Sequence, residues 1–173
     1  MPGSKFLDGD TIELCVPTKA DRAWLNKQQN DPRIWRSMLT HTPTQLDETP
    51  YEQDEGTVRL LICDSNVPVG KIWLRQAGIQ QRYGTGTLGY WIAPDEWGQG
   101  YATAAVERMV TYGFEQRRLH RITADVFECN PASARVLEHN GFHQEGTERQ
   151  AAFIDGEYHD VRNYGLLRTE WMR

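Results

Sequence analysis

Residues 88–105, LGYWIAPDEWGQGYATAA, constrain the chain more than any other stretch. Residues 88–92 are an apolar run of aromatic and branched side chains, the pattern of a short buried strand. Pro94 stops it, because proline brings no amide to a sheet ladder and fixes its own backbone angle. Gly98 and Gly100 then permit a tight turn, and an alanine-rich helix begins at once. A strand, a glycine turn and a helix N-terminus in this order leave amide groups pointing out of the first helical turn, where the helix dipole favours negative charge. The stretch predicts a pyrophosphate site, with the rest of the chain building a place for a second substrate.

Around it the chain reads as alternating elements. Residues 11–16 form a first strand ended by Pro17, and Thr18 caps a helix anchored by Trp24 and Leu25. Pro32 starts a second short helix with Ile34, Trp35, Met38 and Leu39 at helical spacing. Residues 40–56 are polar and carry Pro43 and Pro50, so they read as a connection. Residues 58–63 and 67–74 flank the turn residues Asp64, Ser65 and Asn66, which makes a hairpin. A second polar loop, residues 76–85, leads to the strand at Leu88. The helix after Gly100 carries Ala102, Val106, Met109, Val110 and Gly113 on one stripe and runs to about Gln116. Residues 121–127 alternate as a strand. Asn130 and Pro131 open a further helix that Asn140 and Gly141 close. Two strands follow, residues 142–150 and 159–167, around the Asp155–Gly156 turn. Helices alternating with strands in the second half predict an α/β fold with a mixed sheet, one parallel pair and a crossover helix. A ligand belongs where the carboxyl ends of the parallel strands meet the helix N-termini.

Composition narrows the function. A chain of 173 residues predicts one domain spanning residues 1–173. A net charge of −5 argues against a nucleic-acid binder, which needs a basic face to meet phosphate. Cys15, Cys63 and Cys129 are odd in number, far apart and without a CxxC pair, which predicts reduced thiols and a cytoplasmic setting. The first residues carry no secretory pattern, and no apolar stretch reaches membrane-spanning length. The five histidines show no metal-ligand spacing, so no metal is expected. Gly84, Gly86 and Gly89 fit GxGxxG, but that fingerprint must follow a strand and open a helix. Here the glycines precede a strand and read as a flexible entry to it.

Three blocks carry a family resemblance. WGQGYAT, residues 97–103, resembles the acyl-CoA signature Q/R-x-x-G-x-G/A of the GNAT superfamily of N-acetyltransferases. Gly100 and Ala102 match its last two fixed positions, and Trp97 stands at the first. Asn130, Ser133 and VLEHNGF, residues 136–142, resemble the family's asparagine-initiated helix. GEYHDVRNYGLL, residues 156–167, resembles the tail of the ribosomal-protein alanine N-acetyltransferase branch.

The resemblance implies a GNAT-like fold, with a splayed parallel strand pair, and acetyl-CoA as cosubstrate. The amides of Gly98, Gln99, Gly100, Tyr101, Ala102 and Thr103 would then meet the pyrophosphate. Trp91, Ile92 and Ala93 would pair with the pantetheine arm, one of their amides polarising the thioester carbonyl. Asn130 would hydrogen-bond the arm from the next strand. The reaction would be direct attack of a neutral primary amine, a protein N-terminus or a small amine such as a polyamine, amino acid or aminoglycoside. The tyrosine that many members use as the acid falls at Leu137, which cannot donate; the resemblance to the alanine N-acetyltransferase branch points instead to a serine, Ser133, as the acid, close to where the cosubstrate sulfur would lie. Glu128, Asp95 and Glu96 are the candidate bases, with Asp160 and Tyr90 behind them; Asp95 and Glu96 adjoin the turn, where a carboxylate would repel the pyrophosphate, which favours Glu128. An α-amine with a pKa near 8 is about a tenth neutral at physiological pH and needs little help; a lysine-type amine near 10.4 needs much more. Trp35 and Trp73 are candidate acceptor contacts, within an acceptor region of about residues 20–56 and 76–86. A homodimer through the last strands is a further family-based expectation. The alternative is a CoA-binding module of the same fold that has lost catalysis and serves as a sensor or interaction partner.

Overall fold

The computed structural model describes residues 2–38, 56–76 and 83–172. The polar connection after Thr40, Leu39 and most of the loop before Tyr83 lie outside them. In chain order the elements are β1 (Lys5–Asp8), β2 (Glu13–Cys15), α1 (Arg22–Gln29), α2 (Pro32–Trp35), β3 (Thr57–Asp64), β4 (Val67–Arg75), β5 (Thr85–Ile92), α3 (Tyr101–Glu115), β6 (Arg121–Phe127), α4 (Pro131–His139), β7 (His143–Ile154), β8 (Glu157–Leu167) and α5 (Arg168–Trp171). The strands make one mixed sheet in the order β1-β2-β3-β4-β5-β6-β8-β7. Among the described strands only β5 and β6 run parallel; the other neighbours are antiparallel.

Turn chemistry sets the two long hairpins. Ser65 and Asn66 both take positive φ, 48° and 66°, as do Asp155 and Gly156 at 51° and 88°. Two left-handed residues in succession twist the chain the way paired strands already twist. The apolar run of β3 needs no alternation because both faces of the sheet are covered. Leu60 and Ile62 join Ile72, Leu74 and Leu88 under α3, where Val106, Met109, Val110 and Phe114 are buried. Leu61 and Cys63 face the other way, with Cys15 and Trp91, against Leu25 of α1 and Ile34 of α2. A strand buried on both faces reads as a continuous hydrophobic run.

Several elements depart from the sequence expectation. β1 lies in a segment too short to show alternation; pairing with β2 makes it a strand. β5 begins at Thr85, three residues earlier than the apolar run, because pairing with β4 and β6 holds residues of low strand propensity. Gly86 therefore joins Gly89 inside the strand instead of preceding it. A Cβ at Gly89 would fall inside the Trp73 indole, which crosses over the glycine from β4. Thr18 caps a 3₁₀ turn, Lys19–Asp21, ahead of α1; its hydroxyl and its amide both donate to Asp21 Oδ2 at 2.7 Å. Ala105, not Ala102, is the fully buried alanine of the α3 stripe. β7 runs on to Ile154 past an irregularity between Glu148 and Ala152, where Gln150 takes positive φ and donates its amide to Asp160 Oδ1.

The sheet opens at its parallel pair. β5 and β6 meet only at Thr85–Arg121, Gly86–Ile122 and Thr87–Thr123. Beyond Thr87, β5 stays with β4 to Ile92 while β6 stays with β8 to Phe127. The carboxyl halves of the two strands diverge, and the N-termini of α3 and α4 flank the gap.

Candidate active site

The gap between β5 and β6 continues into a cleft of about 1500 Å³. One side is made of backbone. Alternation along the β4–β5 ladder decides which β5 amides it receives. The Ala93 amide donates to Val69 at 2.8 Å, so in the same register the Trp91 amide is committed to Lys71. The amides of Tyr90 and Ile92 turn the other way, into the gap. Of Trp91, Ile92 and Ala93, only Ile92 therefore offers an amide to a guest, and Tyr90 joins it. The Ile92 carbonyl accepts the Trp97 indole N–H at 2.8 Å, so Trp97 ties the strand end to the turn where the signature has a glutamine or arginine.

The turn follows. Gly98 and Gly100 both sit at φ 81°, a conformation that carries a steric penalty for side-chain-bearing residues. An added Cβ at either would meet no protein atom within 4 Å, so the turn is open to solvent and to a ligand. The α3 amides of Tyr101, Ala102 and Thr103 have no preceding helical carbonyl to reach; the first α-helical bond runs from Ala104 to Gly100, at 3.1 Å. Tyr101 fixes this end of α3 by donating its hydroxyl to Asp64 Oδ2 at 2.6 Å, which holds that carboxylate below its ordinary pKa. Asn140 ties α4 to α3 through the Thr103 carbonyl at 3.3 Å. Gln99 lies exposed on the rim.

α4 supplies the other boundary. The Asn130 Oδ1 accepts the Ser133 amide at 3.2 Å, a helix cap worth about 1 kcal/mol. Pro131 follows at the first position, and Gly141 at φ 82° with Phe142 closes the far end through amides donated to Glu138 and Leu137. Capped at both ends, the helix holds Ser133 beside the gap. The Ser133 hydroxyl lies 2.8 Å from the Tyr90 hydroxyl, which also donates to the Ser133 carbonyl at 3.3 Å. Burial pushes the Tyr90 phenol up to about 12, so it stays protonated. Leu137 is fully buried in the core and meets the cleft only as an apolar side chain, which has no proton to donate. The phenol beside α4 comes from a strand, not from the helix.

The remaining candidates scatter. Glu128 Oε1 accepts the Asp160 amide at 3.1 Å and lies 3.5 Å from His159 Nδ1, turned along β8. His159 lines the cleft and Glu128 does not. Asp160 serves the β7 irregularity. Asp95 is largely exposed, 3.5 Å from Arg33, and Glu96 stands in the same 3₁₀ turn. Trp73 lines the cleft on the α1–α2 side, while Trp35 lies outside its lining, under Arg36. Lys71 and Asp125 are cleft residues the sequence reading passed over. A lysine amid the apolar β4 sequence VPVGKIWL was the available signal for the first.

A family model described as an acetyltransferase (GNAT) domain matches residues 11–143. The chain belongs to the GNAT acetyltransferases. It is an acetyl-CoA-dependent N-acetyltransferase, and the expected mixed-sheet fold with its parallel pair is the fold observed. It is 39% identical over 172 residues, 93% of this chain and 92% of the relative, to a putative ribosomal N-acetyltransferase YdaF of Bacillus subtilis. Among solved structures it resembles spermidine N-acetyltransferase from Vibrio cholerae in complex with CoA and spermine, with a TM-score of 0.86, 22% identity and coverage of 94% and 99% of the two chains. It also resembles RimL, a ribosomal L7/L12 α-N-protein acetyltransferase in complex with coenzyme A, at a TM-score of 0.78 and 22% identity over 91% and 94%. Among the described residues no helix is long and apolar enough to cross a membrane, and no group of three or more His, Cys, Asp or Glu side chains could hold a metal ion.

Proposed function

We propose that this GNAT enzyme acetylates a protein N-terminal α-amine, by direct attack within a ternary complex. The observation that carries the reading is the opened β5–β6 pair, with two strand amides facing the gap and helix N-termini on either side of it. Acetyl-CoA supplies an activated acetyl thioester. The amides of Tyr101, Ala102 and Thr103, reached through the turn at Gly98, Gln99 and Gly100, fit its pyrophosphate. The Ile92 or Tyr90 amide fits the thioester carbonyl and would stabilise negative charge developing there. Asn130, already the cap of α4, borders the arm.

Ser133 is the proposed proton donor to the departing thiolate. Tyr90 positions it: the two hydroxyls lie 2.8 Å apart and the phenol also reaches the Ser133 carbonyl, which holds the serine at the edge of the gap. A general acid contributes about 10²- to 10⁴-fold. Removal of the amine proton asks less of the site. Glu128 remains the proposed base only through His159, its neighbour at 3.5 Å and the one that lines the cleft. An α-amine, with a pKa near 8, tolerates so modest a base, whereas a polyamine nitrogen does not. The similarity to YdaF, named a putative ribosomal N-acetyltransferase, supports the same choice.

Release of free thiol from acetyl-CoA, measured across N-terminal peptides, polyamines, amino acids and aminoglycosides, tests the reading. Turnover on peptides above the other amines is the expected result. Turnover on polyamines alone would overturn the acceptor assignment. CoA binding without turnover on any amine would make the chain a binding module.

A further inference from the structure

One amine is built into the acceptor side of the cleft. The chain's lysines are Lys5, Lys19, Lys27 and Lys71, and every other basic side chain apart from histidine is an arginine. Arg33, Arg36, Arg59 and Arg75 line the cleft on the α1–α2 side together with Lys71. A guanidinium keeps its charge throughout the working pH range, whereas a lysine amine gives up its proton when its surroundings favour the neutral form. Lys71 stands in mid-β4 opposite Trp91 of β5, and side chains of such cross-strand partners start about 5 Å apart. Its Nζ lies 5.9 Å from the Trp73 ring centroid, and that ring covers Gly89 of β5. Lys71 therefore stands level with Trp91, between the two β5 residues whose amides face the gap, with its amine near Trp73. Burial, and then the Arg59 guanidinium nearby, bring its pKa down from 10.5 to about 8.

We propose that Lys71 is an internal acyl acceptor: without an outside amine, the enzyme acetylates Lys71 Nζ from acetyl-CoA. The proposal rests on the acetyl-transfer reading above. In the step, the Nζ lone pair forms a bond to the acetyl carbonyl carbon. The carbon–sulfur bond breaks with its electron pair on sulfur, and the proton lost by Nζ reaches that sulfur through the Ser133 hydroxyl. The products are free CoA and a neutral acetamide on the cleft wall. Among the described residues, acetylation removes the one lysine of this wall, and an acceptor seated there shields Lys71 from it.

The test is to incubate the whole protein with acetyl-CoA alone through a pH series across 8, then map the modified residue by mass spectrometry after cleavage at acidic residues. The expected result is one acetyl group, on Lys71, formed at a rate that saturates with acetyl-CoA and climbs as pH rises through about 8. Lys71→Arg removes the adduct, and Ser133→Ala slows it about 100-fold. Absence of the adduct, while thiol release on an N-terminal peptide persists, overturns the proposal and leaves the acetyl-transfer reading standing. Equal acetylation of Lys5, Lys19 and Lys27, or an undiminished rate in Ser133→Ala, also overturns it by marking the reaction as uncatalysed. Loss of both the adduct and all thiol release would overturn the two readings together.

Discussion

The two walls of the cleft are made of different material. The wall toward α3 and α4 is mostly backbone: the Tyr90 and Ile92 amides, the glycine turn, the first turn of α3. The wall toward α1 and α2 is mostly side chain: Trp73, Lys71, four arginines and Asp125. Backbone donors are fixed by the fold and tolerate substitution wherever the dihedrals are kept. Side chains change one at a time without disturbing the sheet. A single fold can thus keep one donor and serve different acceptors, as the spermidine and L7/L12 acetyltransferases of similar structure illustrate.

Mutations separate the walls. Ser133→Ala, on the backbone-built side, is the largest expected effect: kcat falls about 100-fold with little change in KM for either substrate. A loss under threefold would remove the serine from proton transfer. Gly100→Val forces a β-branched residue to φ 81°. The strain, about 1–2 kcal/mol or more, re-sets the turn, and KM for acetyl-CoA rises about tenfold while acceptor preference stays the same. A changed acceptor preference would break the division between the walls. Tyr90→Phe removes the phenol from Ser133 at a cost of about 0.5–1.5 kcal/mol, so kcat drops up to about tenfold. The remaining turnover should keep its dependence on Ser133, which a double mutant with Ser133→Ala measures. Trp73→Ala acts on the other wall and shifts KM for the acceptor alone, by a few fold, since about 0.5–1 kcal/mol of aromatic contact is at stake.

Leu137→Tyr bears on the family comparison in a different way. Leu137 is fully buried in the core, so restoring the familiar tyrosine overpacks it and costs about 1–3 kcal/mol of stability without supplying an acid. Thermal denaturation reads that cost directly. A stable variant with raised kcat would show that the helix, not β5, is the natural place for the phenol.

The donor wall was legible in the sequence because its signals are local. A proline, two glycines and an asparagine cap specify backbone conformations a few residues at a time, and the resemblance to the GNAT signature rests on those positions. What lay hidden depends on contacts between distant segments. Nothing near Ala93 announces that its amide is taken by Val69; the register of the β4–β5 ladder decides it. The pairing of Tyr90 with Ser133 spans 43 positions. Glu128 follows a strand end and reads as site-facing, but β8 runs alongside and its Asp160 amide claims the carboxylate. Gly86 looks like a loop residue until Leu119 is seen filling the space over it.

A crystal structure of the protein with acetyl-CoA tests the division of the cleft most directly. The expected complex has the pyrophosphate on the amides of Tyr101, Ala102 and Thr103, the thioester carbonyl on the Ile92 or Tyr90 amide, and the sulfur within hydrogen-bonding reach of Ser133 Oγ. A pyrophosphate held away from the turn by arginine side chains of the α1–α2 wall, or a sulfur remote from Ser133, would contradict it.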